Sequence, residues 1–166
     1  DNNPAVAMYP VQYVNDPYLI PFHDNLVSIN SCVQIDIMGQ VVSTSAGLRQ
    51  ISGVGGQIDF VRGANMSKGG RAIMAMPSTT GGGKISKIVP FLDQGSAVTT
   101  SRNDVNYVVT KYGIAQLRGK NLRQRAEELI AIAHPDFRDE LRAEFRRRYP
   151  RERSTPDTVP ERNRQR

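Results

Sequence analysis

Residues 52–63 read SGVGGQIDFVRG, a glycine loop followed by a segment able to form a helix. Glycines allow backbone N–H groups to approach an anion or a carbonyl oxygen closely, and they reach φ > 0 without strain. The pattern predicts a short helix over 57–66, whose N-terminus would favour negative charge. An apolar strand over 71–76, ended by Pro77, follows that helix. A tight turn between strand and helix explains the same glycines, and the sequence leaves both interpretations open.

Neither glycine loop of the chain matches a standard nucleotide-binding motif. Ile58 stands where the dinucleotide fingerprint needs its third glycine. The second loop, residues 78–83, resembles a phosphate loop, but Ile85 occupies the position where such a loop needs Ser or Thr. An anion-binding or lid loop with Lys84 as a mobile charge stays open, and so does a plain solvent loop.

Alternating and apolar runs predict strands on both sides of the first glycine loop. Besides 71–76, the predicted strands cover residues 26–30, 33–37, 41–44, 84–92, 97–101 and 105–110. The second and third of these are expected to pair through a turn at Gly39, as an antiparallel hairpin with one solvated face. Four prolines punctuate the first 25 residues, which predicts irregular structure with one short helix opened by Asn15 or Asp16.

The hydrophobic periodicity becomes helical after Gly113. One helix is expected after a cap at Asn121, with its apolar face formed by Leu122, Ala126, Leu129, Ile130 and Ala133. A second helix is expected over 136–149, with Phe137, Leu141 and Phe145 at helical spacing. Residues 150–166 have almost no apolar side chain, which predicts a charged, disordered tail. Strands followed by helices indicate an α/β or α+β domain over residues 1–149.

The composition argues against several classes of protein. Although the net charge of the 166 residues is +6, residues 1–116 contribute +1 (8 Lys and Arg against 7 Asp) and 117–166 contribute +5 (14 against 9). That charge fits the solvated faces of two helices, so nucleic-acid binding is not expected as the main function. No apolar run approaches the roughly 18–20 residues of a membrane span, and no leader opens the chain, so a cytoplasmic protein is expected.

The side chains most often used in catalysis and metal binding are sparse. Cys32 is the single cysteine, which excludes an internal disulfide framework and indicates a small buried hydrophobe. With only His23 and His134 beside it, no metal site is expected. His134 precedes a proline at a helix end, where capping is the ordinary role. No Ser-His-Asp set follows from the order of these residues.

The two residue types with the clearest bias are glycine and glutamate. All 14 glycines lie between Gly39 and Gly119, and all six glutamates lie from Glu127 onward. The chain is therefore a glycine-rich, nearly neutral body followed by a charged, helix-prone end.

A series of motifs in one order resembles the C-terminal domain of the acetyl-CoA hydrolase/transferase family, most closely its 4-hydroxybutyrate CoA-transferase branch. The motifs run across residues 8–145: Asn15-Asp16-Pro17, residues 28–31, residues 35–41, Ser52–Gly63, Ser67–Gly70, Pro77-Ser78-Thr79, Gly83–Pro90, Thr100-Ser101-Arg102, Tyr107–Thr110, Gly113-Ile114-Ala115, Leu117–Lys120, Arg123–Ala126 and Ala133–Arg138. This order is far more specific than either glycine loop alone.

The resemblance implies an α/β fold, one lobe of a two-domain CoA-transferase fold of the NagB/RpiA/CoA-transferase-like kind. In this family a glutamate attacks an acyl-CoA, and a mixed anhydride and then a glutamyl-CoA thioester follow, with an oxyanion to stabilise at each step. Counting along the motif gives Gly56 the role of backbone oxyanion donor. Asn30, Gly53, Gly55, Lys84 and Lys111 are the candidate contacts to CoA or substrate. The resemblance implies coenzyme A as a substrate and no covalently bound cofactor.

Two departures from the family pattern bear on catalysis. The family's nucleophilic glutamate lies upstream of Asn15-Asp16-Pro17, and this chain has no glutamate before Glu127. The family usually has a glutamate where Lys111 stands, which reverses a charge near the expected site. Altered carboxylate selectivity and a loss of catalytic demand both explain the lysine.

The resemblance therefore predicts the C-terminal domain of an acyl-CoA:carboxylate CoA-transferase that is inactive by itself. Its expected partners are acyl-CoA, a small carboxylate and an N-terminal CoA-transferase domain, in the same chain or a separate one, and a homo-oligomer is expected. The alternative is a non-catalytic module that binds CoA or another anion, or that stabilises a partner subunit.

Overall fold

The computed structural model describes residues 2–150, so the predicted tail lies outside the described residues except for Pro150. The helices are α1 (Val11–Val14), α2 (Gln57–Met66), α3 (Leu122–Ile132) and α4 (Arg138–Arg148), with 3-10 turns at Ile20–Phe22 and Pro135–Phe137. The strands are β1 (Val27–Asn30), β2 (Gln34–Asp36), β3 (Val41–Val42), β4 (Ser45–Ala46), β5 (Arg49–Gln50), β6 (Arg71–Ala75), β7 (Thr79–Thr80), β8 (Ile85–Ser86), β9 (Ile88–Val89), β10 (Tyr107–Thr110) and β11 (Gly113–Gln116).

A four-stranded sheet in the order β1-β6-β10-β11 organises the molecule. β1, β6 and β10 are parallel, and β11 returns antiparallel to β10. A smaller sheet in the order β3-β2-β9 and two hairpins, β4–β5 and β7–β8, complete the strands that the structure describes. The predicted mixed α/β fold with C-terminal helices is confirmed.

The two faces of the four-stranded sheet have different surroundings. Alternate side chains of a strand point to opposite faces, so the register assigns each residue to one face. The inner face carries Ala72, Met74, Val108 and Ala115, which are buried in one core with residues of α2 and α3. The outer sheet face is defined here as Ile29, Ile73, Ala75, Tyr107, Val109 and Ile114.

Helix α2 begins after the glycine loop and ends at Met66, as the sequence predicts. Val61 and Ala64 on this helix are fully buried. Gly63 lets the 3-10 turn at Ile20–Phe22 approach closely, because a Cβ at position 63 would collide with the Ile20 side chain. The helix is thus held between the sheet and the N-terminal segment.

Helix α3 begins with the predicted cap. The Asn121 side chain accepts a hydrogen bond from the Gln124 N–H at 2.9 Å, and the Gln124 side chain accepts one from the Asn121 N–H at 3.0 Å. This reciprocal capping box satisfies two backbone donors that would otherwise lack partners. The second predicted helix is present as α4 after a 3-10 turn, and Leu141 on it is buried.

One buried arginine joins α3 to three other segments. Arg125 is 7% exposed, and its guanidinium donates to the backbone carbonyl oxygens of Met38, Leu117 and Arg102 at 2.7–2.9 Å. Burial, followed by the nearby Arg102, lowers the pKa of this group, and Asp36 opposes that change. Arg125 is thus a buried structural residue within the charged C-terminal part of the sequence.

The predicted short helix opened by Asn15 or Asp16 is present in part, as a turn that begins at Asp16 and continues into the 3-10 turn at Ile20–Phe22. α1 ends at Val14, and Asn15 follows as its C-terminal residue. The Asp16 carboxylate accepts the Tyr18 N–H at 2.8 Å, and the Asp16 carbonyl oxygen accepts the N–H groups of Leu19 and Ile20 at 3.0 Å, so the helical turn is opened by Asp16.

The hairpin of β2 and β3 is antiparallel as predicted, but its expected solvated face is wrong. All residues of both strands are buried, because β9 pairs with β2 and the core covers the strands. The Asp36 carboxylate is satisfied locally, since it accepts from the N–H groups of Met38 and Gln40 and from the Gln40 side chain. Asp36 therefore keeps the alternation of apolar and polar residues in β2 although its side chain is buried.

Two other predicted strands differ in extent. Residues 84–92 form two short strands, β8 and β9, that belong to different sheets. Residues 97–101 form only a bridge between Thr100 and Val41. A run of apolar residues does not reveal where the chain changes from one partner strand to another.

Candidate functional site

The carboxyl ends of the parallel strands define one edge of the main sheet, where open α/β folds place their ligands. Asn30 ends β1, and Lys111 directly follows β10. The N-terminus of α2 reaches the same edge, because the Gln57 Nε2 atom lies 3.5 Å from the sulfur of Met74. Met74 is the register partner of Asn30. Two candidates from the sequence, Asn30 and Gly56, are therefore brought to one end of the inner face.

The glycine loop leaves backbone donors free at the start of α2. Gly56 is the residue before the helix, with φ −92° and ψ 10°, and no side chain caps this end among the described residues. The N–H groups of Ile51 and Ser52, earlier in the loop, donate to the Thr44 carbonyl. An uncapped helix start can stabilise an anionic oxygen with several N–H groups. The arrangement fits the chemistry of an oxyanion donor.

Asn15 lies against Gly56, a contact that sequence reasoning missed. A Cβ at position 56 would collide with the Asn15 side-chain amide and would lie 3.5 Å from the Phe60 ring. Glycine is therefore the residue that keeps both the backbone N–H and the Asn15 carboxamide in place. Asn15 belongs to a motif of the resemblance, but the local sequence gives no sign of this contact across 41 positions.

Gln57 is a second residue that the sequence did not single out. Its side chain donates to the Thr100 hydroxyl at 3.2 Å, and Thr100 is fully buried. Because Thr100 also bridges to Val41, Gln57 ties the start of α2 to the smaller sheet. This contact fixes the direction in which the first helical turn points.

Asn30 is positioned by a neighbour on its own strand. Its Nδ2 donates to the Ser28 hydroxyl at 2.9 Å, and both residues lie on the inner face. The side chain is half-buried and its carbonyl oxygen remains available as an acceptor. Gly53 and Gly55 lie in the exposed part of the loop, and Gly55 adopts a left-handed conformation with φ 61°.

Lys111 is exposed in the turn between β10 and β11. Its ammonium group lies 5.0 Å from the centre of the Tyr112 ring, and the Arg138 guanidinium lies 5.5 Å from the same ring. β10 is two strands from β1, so Lys111 and Asn30 share an edge but are separated laterally by about 10 Å. Two cationic side chains, those of Lys111 and Arg138, therefore lie beside Tyr112 at this end of the sheet.

Lys84 has different surroundings from those of Gly56 and Asn30. It lies at the tip of the β7–β8 hairpin after three glycines with positive φ, Gly81 to Gly83. With Phe137, Glu140 and Leu141, it lines a cavity of about 220 Å³ beside α4. The second glycine loop is thus a hairpin turn next to a helix.

Cys32 is the small buried side chain that the sequence predicts. It is 5% exposed, and its sulfur lies 3.2 Å from the sulfur of Met76. Burial raises the pKa of the thiol to about 11, and Lys87 opposes that change. At neutral pH the group is a neutral thiol rather than a nucleophilic thiolate.

The glutamates of the described residues all lie on the two C-terminal helices. Glu127 and Glu128 belong to α3, and Glu140 and Glu144 belong to α4. Glu128 pairs with Lys120, and Glu144 pairs with Arg147. No glutamate precedes residue 127, so none comes from the strands or loops that form the carboxyl edge.

A family model described as the acetyl-CoA hydrolase/transferase C-terminal domain matches residues 1–145. The chain belongs to this family. A 4-hydroxybutyrate coenzyme A transferase of Clostridium kluyveri is 65% identical over 149 residues, which are 90% of this chain and 35% of that protein. A succinyl-CoA:cyclohexane-1-carboxylate CoA transferase of Geobacter metallireducens is 54% identical over 147 residues. The chain spans about a third of the length of these curated relatives.

Solved structures of the same family share the fold. RipA from Yersinia pestis is 47% identical, with a TM-score of 0.83 over 89% of this chain and 33% of that one. A 4-hydroxybutyrate CoA-transferase from Porphyromonas gingivalis is 52% identical, with a TM-score of 0.74 over 90% of this chain and 33% of that one. The family and the fold expected from the motifs are confirmed. Among residues 2–150, no helix is long and apolar enough to cross a bilayer.

Proposed function

We propose that this chain is the C-terminal domain of an acyl-CoA:carboxylate CoA-transferase of the 4-hydroxybutyrate/acetate type. The observation that carries the proposal is the uncapped start of α2 at the carboxyl edge, with Asn15 packed against Gly56. In this proposal the Gly56 N–H stabilises the oxyanion of each tetrahedral intermediate, and Asn30 lines the acyl pocket. The nucleophilic glutamate comes from outside the described chain.

The proposed reaction needs that oxyanion donor several times. The glutamate carboxylate attacks the thioester carbonyl of acyl-CoA and expels the CoA thiolate, which leaves a mixed anhydride. The thiolate then attacks the glutamyl carbonyl and releases the first carboxylate, which leaves glutamyl-CoA. The acceptor carboxylate reverses the two steps and leaves as the new acyl-CoA. Each attack places a negative charge on a carbonyl oxygen, which a preorganised N–H can stabilise in the transition state.

The positive charges near the edge support binding of anionic substrates. Lys111 lies in the turn after β10, and the loop containing Gly53 and Gly55 is open to solvent. CoA and the carboxylate are both anions, so a cation held at this edge raises their local concentration. Lys84, at the hairpin beside α4, is the candidate for a more distant contact to CoA.

Transfer activity in a full-length chimera tests the proposal. This chain would replace the matching third of the Clostridium kluyveri transferase, and acyl exchange between acetyl-CoA and 4-hydroxybutyrate would be measured. We expect the chimera to be active and the isolated chain to form no covalent adduct with acetyl-CoA by mass spectrometry. A glutamyl-CoA adduct on the isolated chain would contradict the assignment of the nucleophile to another segment.

Gly56→Ala in the same chimera tests the oxyanion role. The new methyl group would displace Asn15 or the backbone N–H, and a displacement of about 1 Å can cost on the order of a hundredfold in rate. We expect kcat to fall at least about tenfold, with an unchanged unfolding transition. Val54→Ala, at an exposed side chain of the same loop, is the matched control and should stay within about threefold of the parent. Full activity of Gly56→Ala would remove Gly56 from the mechanism.

A non-catalytic CoA-binding module is the second candidate, and the lysine at position 111 favours it. If the chimera folds but transfers no acyl group, calorimetry with CoA decides between the two. Binding of CoA without transfer supports the module. Recovery of transfer by Lys111→Glu would instead support an enzyme whose selectivity has changed.

A further inference from the structure

The outer sheet face is a continuous apolar surface without a cover among the described residues. Ile29 is 67% exposed and Ile114 is 66% exposed, at the two margins of the sheet. Ile73, Tyr107 and Val109 lie between them and are partly exposed. Ile29, Ile73 and Tyr107 form one apolar row across β1, β6 and β10, and Ala75, Val109 and Ile114 form a second across β6, β10 and β11.

An open face of this kind is unusual for parallel strands. Parallel sheets occur almost only where helices cover both faces. Within residues 2–150, α2 and α3 cover the inner face alone. Contiguous apolar patches on a soluble protein mark interaction sites. The outer sheet face therefore has the properties of an interface rather than of a solvent-facing surface.

The charge of the face limits what can cover it. Its polar neighbours, Arg71 and Gln116, lie at the ends of β6 and β11, and the rows between them are uncharged. The terminal segment 151–166 has the sequence RERSTPDTVPERNRQR, in which Val159 is the single aliphatic residue. Because residues 151–166 cannot supply an apolar surface, the outer sheet face needs a different polypeptide segment as its cover.

The length of the relatives indicates which piece this is. The part matched by this chain is a C-terminal domain, and it makes up 35% of the Clostridium kluyveri transferase and 33% of RipA. The remaining length of those proteins offers enough chain for a covering layer. We propose that the outer sheet face docks the apolar sides of helices from the N-terminal portion of the transferase. This inference rests on the proposed function, because it takes its partner from there.

Docking on this face would also complete the site. Ile29 immediately precedes Asn30, and Val109 lies two residues before Lys111, so the outer sheet face and the carboxyl edge share β1 and β10. Helices placed over these strands would end or begin beside the edge that carries Gly56. The covering layer could then bring a carboxylate to the oxyanion donor without any movement of this domain.

Thiol labelling of single cysteine variants tests the docking. Ile29→Cys and Ile114→Cys would be prepared in the isolated chain and in the chimera, and maleimide labelling would be followed by peptide-resolved mass spectrometry. Asp139→Cys is the matched control, because the Asp139 side chain is 96% exposed on α4, on the other side of the sheet. The native Cys32 is buried and serves as an internal marker of the folded state.

We expect positions 29 and 114 to react rapidly in the isolated chain and at least about tenfold more slowly in the chimera. Asp139→Cys should react equally in both. Equal labelling of positions 29 and 114 in both proteins would overturn the inference. Protection already present in the isolated chain, with a dimer by sedimentation, would also overturn it in favour of a second copy.

The labelling result and the proposed function can fail independently. Protection in a chimera that transfers no acyl group would support the docking surface and contradict the enzyme. Transfer activity with both positions still reactive would support the enzyme and contradict the docking surface.

Discussion

Val108 and Val109 are neighbours on β10, but they face opposite environments. Val108 is fully buried on the inner face, while Val109 is partly exposed on the outer sheet face. Both faces carry apolar side chains, and among residues 2–150 only the inner face is covered by helices. The comparison shows that the inner face makes this domain fold, whereas the outer sheet face is suited to joining it to something else.

The largest effect on the free energy of unfolding is expected from Arg125, which joins α3 to three other segments. Arg125→Met removes the guanidinium that satisfies three backbone carbonyl oxygens and leaves them buried without partners. We expect the free energy of unfolding to fall by about 3–5 kcal/mol in denaturant titrations. Arg123→Met on the same helix is the control. The Arg123 guanidinium donates to the carbonyl oxygens of Tyr149 and Pro150 at the end of α4. Its loss should lower the free energy of unfolding by about 1 kcal/mol or less. Similar losses for both arginines would contradict the assigned role of Arg125.

Cys32, which lies two residues after the end of β1, should make the free energy of unfolding depend on pH. The folded thiol has a pKa of about 11 and the unfolded one an ordinary value near 9.0. Above pH 9 the unfolded chain therefore loses a proton that the folded chain keeps, and stability falls as the pH rises toward 11. The loss approaches about 2–3 kcal/mol at pH 11.

Denaturant titrations from pH 7 to 11 measure this loss, with Cys32→Ala as the reference. Between pH 7 and 11 the free energy of unfolding should fall less in the variant than in the parent. The difference should equal the loss assigned to the thiol, because the other titrating groups are common to both. An identical pH dependence in the two proteins would show that the thiol is not held neutral by burial.

The smallest effect on the free energy of unfolding is expected from substitutions at Val108 and Val109. Val108→Ala leaves a cavity in the core and should lower the free energy of unfolding of the isolated chain by about 2 kcal/mol. Val109→Ala removes a partly exposed side chain and should cost less than about 1 kcal/mol. Thermal or denaturant unfolding of the isolated chain measures both. Equal losses would mean that the outer sheet face is already covered in the isolated chain.

Several parts of the fold could be predicted because their signals are local. The capping box of Asn121 and Gln124 lies within four residues, and the glycine loop marks the start of α2 directly. The hairpin of β2 and β3 follows from alternation and a turn at Gly39. Its burial could not be predicted, because β9, which pairs with β2, lies some fifty residues further along the chain.

The motifs allowed part of the candidate site to be proposed from the sequence, although the roles of its residues stay predictions. Gly56 and Asn30 are assigned from the motifs, and both lie at the carboxyl edge. Asn15 against Gly56, and Gln57 to Thr100, are contacts between distant residues that leave no local pattern. For Lys84 the sequence left an anion-binding loop and a plain solvent loop open, and the structure places it at a cavity beside α4.

The sequence by itself determined the family, through the order of its motifs, and the lack of a glutamate before residue 127. It also determined α2, α3 and α4, because periodicity and caps act within a few residues. Only the tertiary structure decided which face of the sheet the helices cover within residues 2–150, since apolar side chains lie on both faces. The difference depends on where α2 and α3 pack, and such contacts join residues that the sequence keeps far apart.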